Sequence, residues 1–161
     1  MPETLTIQIA KQIAQSEFEK IEDKENRDFL IGHTKAVVET ALILSEEKNV
    51  DKNALEIACW LHDIGQVIER KDHAQHSLEI LEREGFNLNP IIADCILNHG
   101  NKGNPLTDEG KIIKIADKVS TLHPEIIKTL KKYTLNKNIE EKLKDLEFIR
   151  EMANLGIDLL K

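Results

Sequence analysis

The sequence predicts an all-α fold, a compact bundle of about six or seven helices. Apolar residues recur at three- and four-residue steps along most of the chain, and no segment shows the alternation that is typical of a half-buried strand. Capping signals separate the helical segments from one another. With 161 residues, 40% of them hydrophobic, the chain is expected to form a single domain over residues 1–161 with one core.

The first two helices are predicted over residues 3–22 and 29–47. In the first helix, Ile9, Ile13 and Ile21 lie near one face. The second helix has an inward stripe that contains a histidine among apolar residues, namely Leu30, His33, Val37, Ala41 and Leu44.

Three shorter helices are predicted in the middle of the chain. The third helix is expected to begin at Asn53, in the capping-box sequence "NALE", and to end at Gly65. The fourth covers about residues 73–84. Asn89 followed by Pro90 predicts the start of the fifth, which ends in "NHGNKGNP". The inward stripe of the third helix comprises Leu55, Ala58, Cys59 and His62.

The last two predicted helices begin at Thr107 and at the segment "KNIEEKL". Thr107 precedes two acidic residues, as at many helix N-termini, and this sixth helix is expected to end near Pro124. Its inward face carries Ile113, Ala116, Asp117 and Ser120. The final helix covers residues 137–161. Its apolar seam comprises Ile139, Leu143, Leu146 and Ala153. This seam is expected to pack on the same domain or, alternatively, on a second copy in a homodimer.

Composition excludes several classes of function. A net charge of −7 opposes binding to a nucleic acid polymer, because such binding requires a basic surface. Cys59 and Cys95 have no CxxC spacing and are expected to be reduced core residues. The sequence shows neither a basic leader with a long apolar segment nor a run of about 18 apolar residues. A cytoplasmic protein without a membrane partner is therefore expected.

The polar residues on the inward faces indicate a metal site. His33, His62 and Asp117 lie on the apolar stripes of three different helices, where burial is costly unless each side chain finds a partner. Asp63 is about 100 degrees from His62 on the helix and flanks the same region. Nitrogen and carboxylate ligands favour a divalent transition metal such as Mn, Fe, Co, Ni or Zn. Alternatively, each residue is a hydrogen-bonded core or surface group.

The sequence resembles the HD-domain superfamily of metal-dependent phosphohydrolases. The resemblance lies in "IGHTKAVVETALIL", "LHDIGQ", "HAQHSLEIL", "ILNHGN" and "KIIKIADKVS", which occur in the family's order over about residues 29–121. It implies a helical bundle of the HD-domain type. It also implies one metal held by His33, His62, Asp63 and Asp117 and, in two-metal members, a second metal held by His73 and His99 with Asp63 bridging.

The chemistry implied by this resemblance is phosphoester hydrolysis. A metal-bound hydroxide would attack phosphorus in a phosphomonoester or phosphodiester of a nucleotide or related small molecule, with His62 and Asp63 as the catalytic centre and one or two ions per chain. Gln66 stands where many family members with "HDIG" carry lysine, which weakens the case for cyclic-dinucleotide chemistry. The hallmarks of the HD-GYP and guanosine-alarmone hydrolase groups are absent.

Four further side chains are candidates for contacts with the substrate. Lys114 and Lys118 recur beside the face that carries Asp117, and Arg70 follows the His-Asp motif. His76 lies to one side of His73 and could orient a ligand or the substrate. The alternative for each is a solvated surface residue.

Three other functions stay open from the sequence. A one-metal nucleotidase would leave His73 and His99 idle. A dinuclear iron oxygenase would consume dioxygen and require redox-active iron. A nucleotide-binding regulatory domain would bind its ligand without turnover.

Overall fold

The computed structural model describes residues 3–134 and 137–161. In these two ranges the chain forms eight α-helices, two 3-10 turns (Ile64–Val67 and Ser120–Leu122) and no strand, which confirms the all-α prediction with slightly more helices than expected. The helices are α1 Ile7–Glu19, α2 Lys24–Leu44, α3 Lys52–Leu61, α4 His73–Arg83, α5 Pro90–Asn98, α6 Asp108–Val119, α7 Pro124–Thr134 and α8 Ile139–Leu160.

Side-chain caps define several of the helix starts. The predicted caps Asn89 and Thr107 are confirmed, because their side chains accept hydrogen bonds from the first turns of α5 and α6. The predicted starts of α2 and α3 were wrong. Asp23 caps α2, so this helix begins five residues before the expected position. Asp51 accepts from the Ala54 amide at 2.9 Å and caps α3, which places Asn53 inside the helix.

Two predicted helix ends also differ from the structure. Helix α3 ends at Leu61, and Gly65 lies within the following 3-10 turn. Helix α6 ends at Val119, and a separate helix, α7, which the sequence analysis did not predict, begins at Pro124. His123 is extended, as expected for a residue before proline, whereas proline itself is favourable at the first position of a helix.

Helix α2 lies at the centre of the bundle and packs against α1, α3, α6 and α7. Helix α5 covers α3 on another side, and α4 packs against the turn after α3. Cys59 and Cys95 are free and buried, as expected. The core is mostly aliphatic, with fully buried side chains that include Leu30, Val37, Leu55, Leu61, Ile96 and Ile113.

The apolar seam of α8 is largely exposed. Ile139, Leu143 and Leu146 are 73%, 54% and 61% exposed, so the expectation that the whole seam packs on its own domain was wrong; only Ala153 is buried. Helix α8 instead contacts α6 closely through Gly156, where an added Cβ would lie 2.4 Å from the Val119 side chain. Among the described residues, no helix combines the length and the apolarity needed to cross a bilayer.

Candidate metal centre

Five helices or their ends bring six potential metal ligands to one place. The central helix α2 contributes a histidine from its middle, and the turn after α3 contributes the adjacent histidine and aspartate. The start of α4, the end of α5 and the last turn of α6 supply the others. The six residues are His33, His62, Asp63, His73, His99 and Asp117, and they form two overlapping groups that could each hold an ion.

The first group combines two imidazoles with two carboxylates. One potential ligand atom from each of His33, His62, Asp63 and Asp117 lies within 4.8 Å of the others. Nε2 of His33 is 2.9 Å from Oδ1 of Asp117 and 3.4 Å from Oδ2 of Asp63. Nε2 of His62 is 3.4 Å from the same Asp63 oxygen. These atoms surround one point, as expected of a site for a transition metal with nitrogen and oxygen ligands.

The second group uses the other oxygen of Asp63. Its Oδ1 lies 3.1 Å from Nε2 of His73 and 3.5 Å from Nε2 of His99. The two oxygens of one carboxylate thus face two different sets of histidines. With this arrangement, Asp63 could contribute one oxygen to each of two ions.

Backbone carbonyls fix the protonation of three of the histidines. Nδ1 of His62, His73 and His99 lies 2.8, 2.9 and 2.6 Å from the carbonyl oxygen of the residue three positions earlier. A carbonyl only accepts, so each Nδ1 donates a proton and, in the neutral ring, each Nε2 directs its lone pair into the cluster. Nδ1 of His33 faces the Ser120 hydroxyl at 3.3 Å in a comparable role. Such fixed tautomers are typical of histidines that ligate metals.

Two features of the cluster fit a bound metal better than a network of protein hydrogen bonds: one contact between two histidines and one buried nitrogen without a partner among the described residues. Nε2 of His73 and Nε2 of His99 are 3.0 Å apart, although the proton of each neutral ring is already held at Nδ1. Nε2 of His62 is fully buried and has no hydrogen-bond partner among the described residues. When these rings are neutral, a bound cation would accept the Nε2 lone pairs of His73 and His99, which otherwise face each other, and the Nε2 lone pair of His62, which otherwise faces no donor.

The charges within the cluster are strongly coupled. Burial favours a neutral Asp63, but the neighbouring histidines, His62 above all, hold the pKa of this carboxyl well below its ordinary value. Burial likewise opposes a charged His62, yet the two aspartates raise the pKa of its imidazole to about 10. Burial lowers the pKa of His99. Because histidine ligates in its neutral form, metal binding at this cluster would release protons.

The cluster opens onto a cleft of about 1000 Å³. His33, Asp63, His73, His99 and Asp117 lie on its wall, whereas His62 is buried beneath them. Three cationic side chains, Arg70, Lys102 and Lys118, line the same cleft.

The four candidate substrate contacts divide into two pairs. Lys118 and Arg70 line the cleft, and the Lys118 ammonium forms an ion pair with Asp117. Lys114 lies outside the cleft wall and donates to the Gly103 carbonyl at 2.7 Å. His76 is held between Glu69 and Glu79, at 3.0 and 2.9 Å, and lines a surface hollow that adjoins the cleft but not the cleft itself. The structure thus brings only the first pair to the candidate site.

Two residues that join the motifs around Asp63, Gly65 and Ser77, were not among the predicted site residues. The fully buried Ser77 accepts a hydrogen bond from the Gly65 amide at 2.8 Å, and its hydroxyl is directed to the carbonyl oxygens of His62 and His73, both at 3.0 Å. An added Cβ at Gly65 would lie only 1.9 Å from the His73 carbonyl oxygen. The available signal was a serine on the inward face of α4, one helical turn after His73.

A second missed residue, Asp94, organises the segment between α5 and α6. Its carboxylate accepts hydrogen bonds from the amides of Leu106 and Thr107, from the Thr107 hydroxyl and from the Asn98 side chain. Asp94 thereby links α5, which ends next to His99, to the start of α6, which carries Asp117.

Two known proteins match this chain over part of its length. Ribonuclease Y of Ureaplasma parvum serovar 3 is 33% identical over 98 residues, which are 59% of this chain and 20% of that protein. A deoxyguanosinetriphosphate triphosphohydrolase-like protein of Caldanaerobacter subterraneus subsp. tengcongensis is 28% identical over 115 residues, 60% of this chain and 34% of that protein. The chain therefore spans between a fifth and about a third of the length of these relatives.

A solved structure shares the fold. The crystal structure of a predicted HD superfamily hydrolase from an uncultured Thermotogales bacterium matches with a TM-score of 0.62 and 21% identity, over 95% of this chain and 88% of that chain. The family model described as HD domain matches residues 30–122, more than half of the sequence. The chain therefore belongs to the HD-domain superfamily, as its motifs indicated.

Proposed function

We propose that this protein is a metal-dependent phosphohydrolase that cleaves a phosphomonoester or phosphodiester bond of a nucleotide or a related small molecule. The observation that carries the proposal is Asp63, whose two carboxylate oxygens face two separate sets of histidines at the wall of an open cleft. The name of the Caldanaerobacter relative, a nucleotide triphosphohydrolase-like protein, supports the same class.

The ligands would hold one or two divalent ions, from Mn, Fe, Co, Ni or Zn. His33, His62, Asp63 and Asp117 would hold the first, and Asp63, His73 and His99 the second. A bound ion lowers the pKa of coordinated water toward neutrality and polarises phosphoryl oxygens. The backbone carbonyls that hold Nδ1 of His62, His73 and His99 keep these imidazoles aimed at the cluster and limit reorganisation during turnover.

The cationic side chains of the cleft provide the local positive charge that an acidic protein needs for a phosphorylated substrate. Lys118 lies next to Asp117, where its ammonium can contact a phosphoryl oxygen, and Arg70 lies at the exposed side of the cleft. The net charge of −7 favours a small substrate over a nucleic acid polymer. A cytoplasmic location fits the two free cysteines. A homodimer through the exposed seam of α8 stays a prediction.

The test is release of phosphate or nucleoside from mononucleotides, dinucleoside polyphosphates and cyclic nucleotides, with Mn, Co, Ni, Fe(II) or Mg added. We expect metal-dependent turnover that falls at least about a hundredfold in Asp63→Asn, because the bridging carboxylate loses its charge. His123→Gln is the matched control, since this histidine pairs with Glu39 and lies outside both ligand groups.

Two outcomes would contradict the proposal. Tight metal binding without turnover of any phosphoester would favour the regulatory domain. Turnover that requires iron and dioxygen would favour the oxygenase.

A further inference from the structure

On the side of α7 and α8, the cleft adjoins a smaller hollow that we call the side chamber. The side chamber has a volume of about 260 Å³ and lies between the start of α2, α7 and α8. It adjoins the cleft, and five residues line both: Asn26, Phe29, Thr121, Asp145 and Phe148.

Aromatic side chains are concentrated in the side chamber. The whole chain has four phenylalanines, one tryptophan and one tyrosine, and three of these six residues, Phe29, Tyr133 and Phe148, line this one hollow. Phe18 and Phe86 are buried in the core, whereas Phe29 and Phe148 are only partly buried. Partly exposed rings around a cavity leave ring surface free for a ligand, which core packing would not.

The side chamber is also adjacent to the metal cluster. The Phe29 ring stacks in parallel on the His33 imidazole, with 5.9 Å between centroids and 4° between planes. A molecule with one end at the metal ligands would therefore have its other end within reach of the chamber.

Formal charge differs between the cleft and the side chamber. At the end that carries the metal ligands, the cations Arg70, Lys102 and Lys118 offset the carboxylates of Asp63, Asp72 and Asp117. The side chamber has three carboxylates, of Asp23, Glu25 and Asp145, and one ammonium, of Lys137, which pairs with Glu25 at 2.6 Å and with Asp145 at 2.8 Å. An excess of carboxylates repels phosphate and favours a neutral group that carries N–H donors.

The volume restricts the occupant further. Pockets that enclose a complete small ligand typically measure about 300–1,000 Å³. The side chamber, at about 260 Å³, suits a single ring system, while the larger cleft has room for the remainder of the molecule.

We propose that the side chamber is the base-binding subsite of this enzyme. An aromatic heterocycle would pack against Phe29 and Phe148, and its N–H groups would donate to the side chains of Asn26 and Asp145. The proposal rests on the proposed function in placing the phosphate at the metal ligands, and it narrows the substrate to a nucleotide. Phe29, Asp145 and Phe148 all lie outside residues 30–122, so this specificity would come from outside the part that matches the family.

The proposal is tested by titrating adenosine, guanosine, cytidine and uridine, which carry no phosphate, into the full chain and following ligand NMR signals. We expect at least one nucleoside to bind, and Phe148→Ala to raise its Kd at least about fivefold through loss of stacking. Leu146→Ala is the matched control, because this residue lies on the same helix, is 61% exposed and does not line the chamber. Phe148→Leu retains apolar volume if the alanine variant does not fold, and it should also weaken binding.

The outcomes separate this proposal from the hydrolase function. No binding of any nucleoside, or equal Kd values for wild type and both Phe148 variants, would overturn the base subsite even if phosphoesters are hydrolysed. Nucleoside binding that depends on Phe148 would uphold the subsite even if no hydrolysis is found. Equal turnover of ribose 5-phosphate and nucleoside monophosphates by the metal-loaded protein would also count against it.

Discussion

Ser77 is the side chain whose removal should most clearly show how the two metal-binding motifs are joined. Its hydroxyl accepts from the Gly65 amide and faces the carbonyl oxygens of His62 and His73. Replacement by alanine removes one oxygen and adds nothing that could clash.

The loss of stability in Ser77→Ala comes from the buried polar groups that no longer have a partner. In Ser77→Ala, the buried Gly65 amide loses the hydrogen bond of 2.8 Å, and an unsatisfied buried donor costs about 1–3 kcal/mol. The carbonyl oxygens of His62 and His73 also lose a shared donor. This loss costs less free energy than the unsatisfied amide, because a carbonyl oxygen tolerates one missing hydrogen bond more easily than an amide does. We therefore expect the free energy of unfolding to fall by about 2 kcal/mol.

Ser45→Ala is a matched control at another fully buried serine. The Ser45 hydroxyl donates only to the Leu42 carbonyl, which the Ser45 amide already contacts, so this change should cost under about 1 kcal/mol. Urea unfolding of the metal-free proteins measures both values. Equal losses for the two variants would refute the assignment of Ser77 as the link between the motifs.

Two further predictions concern the second ligand group and the α5–α6 connection. His99→Ala should lower the metal content from two ions to one per chain in elemental analysis, because it removes a ligand of only the second group; unchanged metal content and turnover would favour the one-metal nucleotidase. Asp94→Asn should lower the free energy of unfolding by about 2 kcal/mol at pH 7, because a carboxylate with several donors is lost. Burial opposes ionisation of Asp94, but the hydrogen-bond donors outweigh burial and lower the pKa of this carboxyl below 3.8. The stability that the ionised carboxylate provides is therefore present above pH 3.8 and is lost as the pH falls through the lowered pKa. The stability difference between wild type and Asp94→Asn, followed by denaturation between pH 7 and pH 2, should shrink at the acidic end, and a constant difference would contradict the ionic origin.

The sequence was sufficient to place the helices that carry the ligands. His33 and Asp117 could be assigned to inward faces because apolar neighbours at three- and four-residue steps fix the orientation of α2 and α6. Helix α7 does not follow from the sequence alone, because a proline such as Pro124 is compatible both with the end of one helix and with the start of the next. Asp51 and Asn53 are both good caps, and the sequence alone did not distinguish them.

The side chamber could not be predicted in this way. It forms because the packing of α8 on α6 places Phe148 near the start of α2, more than a hundred residues away in the chain. Helical periodicity identifies the face of a helix but not its partner. The exposed seam of α8 shows the same limit, since an apolar stripe is compatible with either packing or exposure.

The hydrogen bonds from Nδ1 of His62, His73 and His99 have a consequence for the evolution of this centre. Each acceptor is a main-chain carbonyl three residues earlier, so it persists whatever side chain occupies that position. These three imidazoles can thus keep their orientation while the surrounding sequence drifts. His33 is different, because it faces a side-chain hydroxyl, that of Ser120. Mutational drift should therefore disturb the orientation of His33 before that of the other three histidines.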